Sequence, residues 1–145
     1  MTSTKTTIKK RNGTTEELDL EKMHKVVFYA CEDITGVSAS EVEIKSHLQF
    51  YDGIESADIQ ETLIKAAADL ISEETPNYQW VAGRLINYHL RKQVYDKFEP
   101  PHLREIARKN VDRGLYDSEF FSVYSDEEID EMQDFIRHER DEDMT

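Results

Sequence analysis

The chain has 145 residues, enough for one domain or for one small domain with a helical extension. Its formal net charge of −13 excludes nonspecific binding to nucleic acid as the main role, because a phosphate backbone would be repelled. One cysteine, Cys31, excludes an intramolecular disulfide and a cysteine-rich zinc site and fits a reducing cytoplasm, and no apolar run is long enough to span a bilayer.

The acidity is uneven. Residues 1–100 carry 12 Lys and Arg against 17 Asp and Glu, while residues 101–145 carry 6 against 14, so the last third holds most of the excess. Residues 1–5 have no apolar signal core behind them. The local exception to the acidity is Lys9-Lys10-Arg11. Asn12-Gly13 follows between two short extended runs and predicts a two-residue β-hairpin turn, because both central residues must tolerate positive φ. Asp19 then predicts the N-cap of a helix. Its apolar positions are Met23, Val26, Val27, Ala30 and Ile34, and Gly36 should stop it.

Ser38-Ala39-Ser40-Glu41 has the spacing of a capping box and should open a second helix reaching about Leu48. Tyr51-Asp52-Gly53-Ile54 reads as a turn or short extended piece. Ser56 should cap a third helix with Ile59, Leu63, Ala66, Ala67, Leu70 and Ile71 as its buried stripe. Thr75-Pro76 reads as a cap with proline in the first helical position. The fourth helix should run from about Pro76 to Phe98, with Tyr78, Val81, Ala82, Leu85 and Ile86 facing inward, until Pro100-Pro101 ends it. Two further amphipathic helices are expected, one over about His102–Arg113 ending at Gly114, the other opened by the capping box Ser125-Asp126-Glu127-Glu128. Residues 138–145 carry no stop signal, and the polypeptide is expected to continue past them. The fold class is therefore α+β and mostly α: a small β-hairpin or three-stranded cap on a four-helix bundle, followed by more helices.

A basic hairpin tip above a helix start can bind phosphate, since cations and free amide donors converge there. It can equally be a solvated tip. Lys22 and the segment His89-Leu90-Arg91-Lys92 offer a second set of cations that can close a pocket with it. Glu16 and Asp19 can accept from the exocyclic amine of a base, or can simply complement a helix N-terminus. Tyr88 and His89 read as core residues or as ligand contacts. Cys31 has no activating neighbour and reads as an inert thiol. There is no Walker loop, no glycine-rich nucleotide fingerprint and no metal-spaced cluster, and no nucleophile sits with a base.

Several segments together resemble the ATP-cone domain at the N-terminus of the class I ribonucleotide reductase large subunit. They are Lys10-Arg11-Asn12-Gly13, Leu18-Asp19-Leu20-Glu21-Lys22-Met23, Gln49-Phe50-Tyr51-Asp52-Gly53-Ile54, residues 64–71, residues 76–85, Leu90-Arg91-Lys92 and Phe98-Glu99-Pro100-Pro101. Gly114-Leu115-Tyr116-Asp117 and His138-Glu139-Arg140-Asp141 extend the resemblance over nearly the whole chain. It implies an ATP-cone nucleotide-binding domain over residues 5–99 and, over residues 100–145, a helical lead-in to a catalytic barrel that is absent here. In the family the cone sets overall activity: ATP permits it and dATP inhibits by driving altered oligomers.

By motif, the resemblance makes Lys10, Arg11 and Lys92 phosphate ligands, with Ser56 and His89 close by. Glu16, Asp19 and Lys22 become the base-reading edge, and Ile8, Leu18, Met23 and Tyr88 the apolar walls. Gln60 stands near the nucleotide where many relatives have histidine, and Asp19 where asparagine is common; both bear on dATP inhibition. The implied ligand is ATP or dATP with Mg2+. The implied partners are the rest of the large subunit and the radical-generating small subunit, with no nucleic acid and no membrane. The radical cysteine and redox pair of the barrel are absent, so this chain alone reduces nothing. The competing reading is a degenerate cone that binds no nucleotide and serves as a structural or interaction module. A transcriptional repressor cone is disfavoured, since no Cys-x-x-Cys is present; a general acidic interaction protein is the remaining alternative.

Overall fold

A computed structural model describes residues 6–144. The expected domain limits at residues 5 and 145 lie outside the described residues. The described residues fall into two compact units, 6–90 and Arg91–Met144.

The first unit is organised around a three-residue strand. Thr7–Lys9 (β1) pairs antiparallel with Thr15–Glu17 (β2) and parallel with Ile54–Glu55 (β3), giving the order β2-β1-β3. Ile8 lies opposite Glu16 on one side and Ile54 on the other. The parallel edge is sewn by Asp52, whose Oδ1 accepts from the Thr7 amide and the Thr7 hydroxyl, both at 2.7 Å. Gly53 N–H returns a bond to Thr7 C=O at 2.8 Å. These donors hold the Asp52 carboxyl below the ordinary carboxylate range, the Thr7 amide contributing most.

The hairpin loop differs from the two-residue turn expected. Lys10 N–H donates to Thr14 C=O and Gly13 N–H to Lys10 C=O, leaving a three-residue loop, Arg11-Asn12-Gly13. Gly13 alone has positive φ, at 83°. This is a type I turn closed by a glycine bulge, which needs one left-handed residue instead of two. Asn12 keeps ordinary φ because its carboxamide oxygen accepts from the Thr14 amide at 3.0 Å and from the Thr14 hydroxyl at 2.6 Å.

Asp19 caps Leu20–Cys31 (α1), accepting from the amides of Glu21 and Lys22 at 3.0 and 3.3 Å. The helix ends before Ile34 and Gly36, since Asp33 already takes a left-handed conformation at φ 58°. Ile34 still packs on the core. Ser38 opens Ala39–His47 (α2), but only half of the expected capping box forms. The Ser38 hydroxyl accepts from Glu41 N–H at 3.4 Å. The return bond is intercepted by Tyr78, whose hydroxyl accepts from Ser38 N–H at 2.9 Å and donates to Glu41 Oε2 at 2.7 Å. Burial, with this carboxylate, raises the Tyr78 pKa.

Ser56 does not cap Ser56–Asp69 (α3); it is the first helical residue, and Glu55 holds the N-cap position without a side-chain bond. The reason is the sheet: pairing with β1 keeps Glu55 extended, so the helix begins at the next residue. Thr75 is likewise no cap. Its hydroxyl donates to Leu70 C=O at 2.8 Å and its amide to the Ser72 hydroxyl at 3.1 Å, closing the preceding loop. The next helix, Tyr78–Tyr95 (α4), starts two residues after Pro76 and stops well before Pro100-Pro101, where Asp96 adopts φ 60°. Ile71 and Ile86 are exposed, contrary to their expected inward positions.

Val27, Val42, Ile54, Leu63, Ala66, Ala67, Tyr78, Val81 and Leu85 form the buried centre of the first unit. Fully burying each branched side chain there contributes about 1.5–3 kcal/mol.

The boundary between the units falls within α4. In the second unit Leu103–Asp112 (α5) packs on Asp126–Phe135 (α7), burying Ala107 and Ile129 completely. His102 caps α5, and the Ser125–Glu128 capping box of α7 has both bonds. Arg104 bonds Asp130 at 2.7 Å, and Leu103 N–H donates to Gln133 Oε1 at 2.7 Å. Two elements without a sequence signal are Phe120–Val123 (α6) and the 3₁₀ segment His138–Met144. Among the described residues no helix is long and apolar enough to cross a membrane.

Tyr78→Phe should lower stability by about 2 kcal/mol, because a buried donor–acceptor link to an amide and a carboxylate is lost. A lowered urea midpoint with an unchanged slope is the expected readout. Asp52→Asn should be destabilising at pH 7. The carboxylate's contribution is present above its unfolded pKa of about 3.9 and lost as pH falls through the lower folded value, so the gap between the two proteins should close toward pH 2. Urea midpoints measured at both pH values check this.

Candidate functional site

The register of β1 brings the basic loop to the start of α3. Lys9, Lys10, Arg11 and Gly13 from the hairpin, with Glu55, Ser56 and Ala57 from the β3–α3 junction, line an open cleft of about 250 Å3. The first-turn amides of α3 receive no side-chain cap. Uncapped amides at the positive end of a helix dipole, facing three cations, make a site suited to an anion with several oxygens. Lys9, Gly13, Glu55 and Ala57 are lining residues beyond the expected set. Glu55 was hidden by Ser56, the stronger capping residue in the sequence.

Both lysines face carboxylates. Lys10 Nζ lies 2.8 Å from Glu16 Oε1 across the hairpin, and Lys9 Nζ lies 3.8 Å from Glu55 Oε1. The Lys10 hydrogen bond is the main reason the Glu16 carboxyl sits below its usual pKa. All four side chains are substantially solvent-exposed, so water screens both pairs and either lysine can turn to a competing anion.

Beyond β1 from the cleft, Glu16 on β2, Asp19 at the α1 cap and Lys22 in the first turn of α1 form a polar edge. Asp19 Oδ1 is committed to the cap. The expected apolar walls are largely core: Ile8 and Met23 are each 7 % exposed, so they can offer a ligand only an edge, and Leu18 packs against the same cluster. On α3, Gln60 lies one turn past Ser56, and its Oε1 is buried without a hydrogen-bond partner. On α4, Tyr88 is half-buried, and burial raises its pKa. Next to it the His89 Nδ1 is also buried without a partner.

Arg91 departs from the second basic cluster expected. It is buried in the second unit, where it bonds Asp141 at 2.7 Å and stacks over the Phe98 ring at 4.8 Å. A buried guanidinium must be paired, and Asp141 fixes it in a structural role. Lys92 is one turn past Tyr88 along α4. Cys31 is half-buried with its pKa raised, chiefly by burial, as befits a packing thiol. Among the described residues no group of three His, Cys, Asp or Glu side chains is placed to hold a metal ion.

The profile of the ATP cone domain matches residues 6–93. Over 134 residues, 92 % of this chain, the sequence is 50 % identical to the ribonucleoside-diphosphate reductase 1 subunit alpha of Escherichia coli strain K12 and 48 % identical to the Haemophilus influenzae subunit alpha. It is 40 % identical over 138 residues, 94 % of the chain, to the subunit alpha of enterobacteria phage T4. The similarity is to the N-terminal region of these proteins, and the chain spans 18 % of their length. A three-stranded cap on helices, with a match covering residues 6–93, places this chain in the ATP cone domain family.

Proposed function

We propose that the chain is a nucleotide-sensing module that binds ATP and dATP, without hydrolysing them, as the overall-activity region of a ribonucleoside-diphosphate reductase large subunit. The observation that carries this reading is the cleft in which Lys9, Lys10 and Arg11 meet the uncapped first turn of α3. Lys10 and Arg11 take the triphosphate, with Ser56 beside them. The resemblance alone assigns Lys92 to the phosphates and His89 near them. Glu16, Asp19 and Lys22 read the base, and Ile8, Leu18, Met23 and Tyr88 supply apolar edges. The magnesium that accompanies a triphosphate is held by the ligand's own phosphate oxygens. The rest of the large subunit and the radical-generating small subunit are the partners, in the cytoplasm. The transduced signal is an altered assembly of these subunits.

The degenerate-cone reading is favoured by one observation: Lys9 and Lys10 already face carboxylates. Titration decides between them. Two or three charge-assisted bonds of about 1.5–3 kcal/mol each, with a partly buried base, support micromolar affinity, about 8 kcal/mol. Lys10→Ala should weaken ATP binding about tenfold or more by calorimetry. No heat and no thermal shift at millimolar ATP or dATP would leave the degenerate cone standing.

In a complete reductase carrying this cone, ATP should activate or leave activity unchanged, and dATP should inhibit poorly. Inverting an assembly equilibrium requires a differential affinity of about 5.5 kcal/mol. Asp19 places negative charge at the base edge, and Gln60 supplies an uncharged amide beside the nucleotide; both reduce that difference. Activity and particle size against dATP concentration test this. Strong inhibition with a larger particle at low micromolar dATP would refute it.

A further inference from the structure

Among the described residues that line the anion cleft, Glu55 alone is acidic. Its place is set by the backbone. In the parallel pairing of β1 with β3, Ile8 stands opposite Ile54 and Lys9 opposite Glu55. Side chains alternate across a strand, so the two buried isoleucines take the core face and Lys9 and Glu55 share the other. On that face Lys9 Nζ lies 3.8 Å from Glu55 Oε1. A one-residue slip that carried the carboxylate away would also bring Ile54 out of the core. Glu55 can therefore turn about its side-chain bonds but cannot leave the cleft wall.

Glu55 also holds the N-cap position of α3, and its side chain makes no cap bond. The residues that cap well are serine, threonine, aspartate and asparagine, whose short side chains reach the first-turn amides. Glutamate in that position leaves those amides open and adds a negative charge beside the positive end of the helix. The free protein thus carries its own anion at the site, facing a cleft lysine and the start of α3. Those are the partners an incoming phosphate would use. We propose, resting on the nucleotide reading of this cleft, that Glu55 is an affinity-setting residue: an internal anion that competes with the ligand's phosphates and holds binding below what Lys9, Lys10, Arg11 and the α3 amides would otherwise give.

The competition has two sources. Lys9 has to exchange Glu55 for the ligand, and the carboxylate left behind repels the phosphates. In water, one unit charge about 5 Å from another changes affinity about fourfold, and salt reduces the effect. A triphosphate brings several charges at increasing distances, so the effect of Glu55 grows with the number of phosphates.

The test is calorimetric titration of the full chain, wild type and Glu55→Gln, with AMP, ADP and ATP at low and at high ionic strength. Glu55→Gln keeps the side-chain length and removes the charge, at a side chain that is more than half exposed. At low salt the variant should bind ATP about fivefold or more tightly than the wild type. The gain should shrink from ATP to ADP to AMP, and it should fall as salt is raised. Equal ATP affinity in the two proteins overturns the role of Glu55 and leaves nucleotide binding intact. A gain that is the same for all three nucleotides and indifferent to salt overturns it too, because it reports a change of shape instead of charge. If neither protein binds any of the three, the nucleotide reading fails and this proposal with it.

Discussion

Everything at the candidate site depends on a three-residue strand being held from both sides. β1 is too short to be stable as part of a free hairpin. It is fixed because Ile8 is buried between two neighbouring strands and because Asp52 clasps Thr7 through two 2.7 Å bonds. The clasp sets the parallel register of β3, and that register does two further things. It keeps Glu55 extended, which starts α3 at Ser56. It also sets the start of α3 beside the loop that carries Lys10 and Arg11. The anion cleft is thus a consequence of one parallel pairing between residues separated by almost fifty positions in the chain.

That distance explains what the sequence could and could not reveal. Local signals were legible: the hairpin, the Asp19 cap, the helical stripes through Val27, Leu63 and Val81, and the capping box at Ser125 all follow from nearby residues. The errors arose wherever a distant group won a local contest. Tyr78 takes the bonds that would complete the Ser38–Glu41 box, forty residues away. Ser56 looks like a cap until β3 pairing places Glu55 there. Arg91 reads as one of a run of helix-end cations until Asp141, fifty positions on, buries and pairs it. At the hairpin the error was finer. Asn12-Gly13 announced the turn, but the Asn12 carboxamide found a partner in Thr14 and left Gly13 as the one left-handed residue.

The electrostatics of the site run against those of the chain. A net charge of −13 surrounds a loop with three successive cations. Left bare, those cations would repel one another, and Glu16 and Glu55 relieve this in the ligand-free state. Because the pairs are exposed and screened, they steady the loop without locking it. In the proposed reading, an anion entering the cleft would exchange one weakly held partner for another that also meets helix amides. The same carboxylates, once released, are free to accept hydrogen bonds, and Glu16 lies on the edge where an amine can use it. Charge pairing in the free protein and the proposed recognition of a ligand with both anionic and donor groups would in this sense be two uses of one set of side chains.

Binding alone does not make a regulator; the ligand must change a free-energy difference between two states of a larger assembly. The features described here divide that task. In the proposed reading, charge and helix amides at the cleft mouth would act on the phosphates, which ATP and dATP share, and so would set affinity for both. Discrimination has to come from groups that meet the part in which the ligands differ. Such groups must be poor partners for water and for the protein itself, or the difference would be lost to competing bonds. On the helix that also forms the cleft wall, Gln60 Oε1 is buried and unpartnered. In the proposed reading, phosphate contacts would set affinity for both nucleotides, and contacts to the rest of the ligand would set the scale of the response.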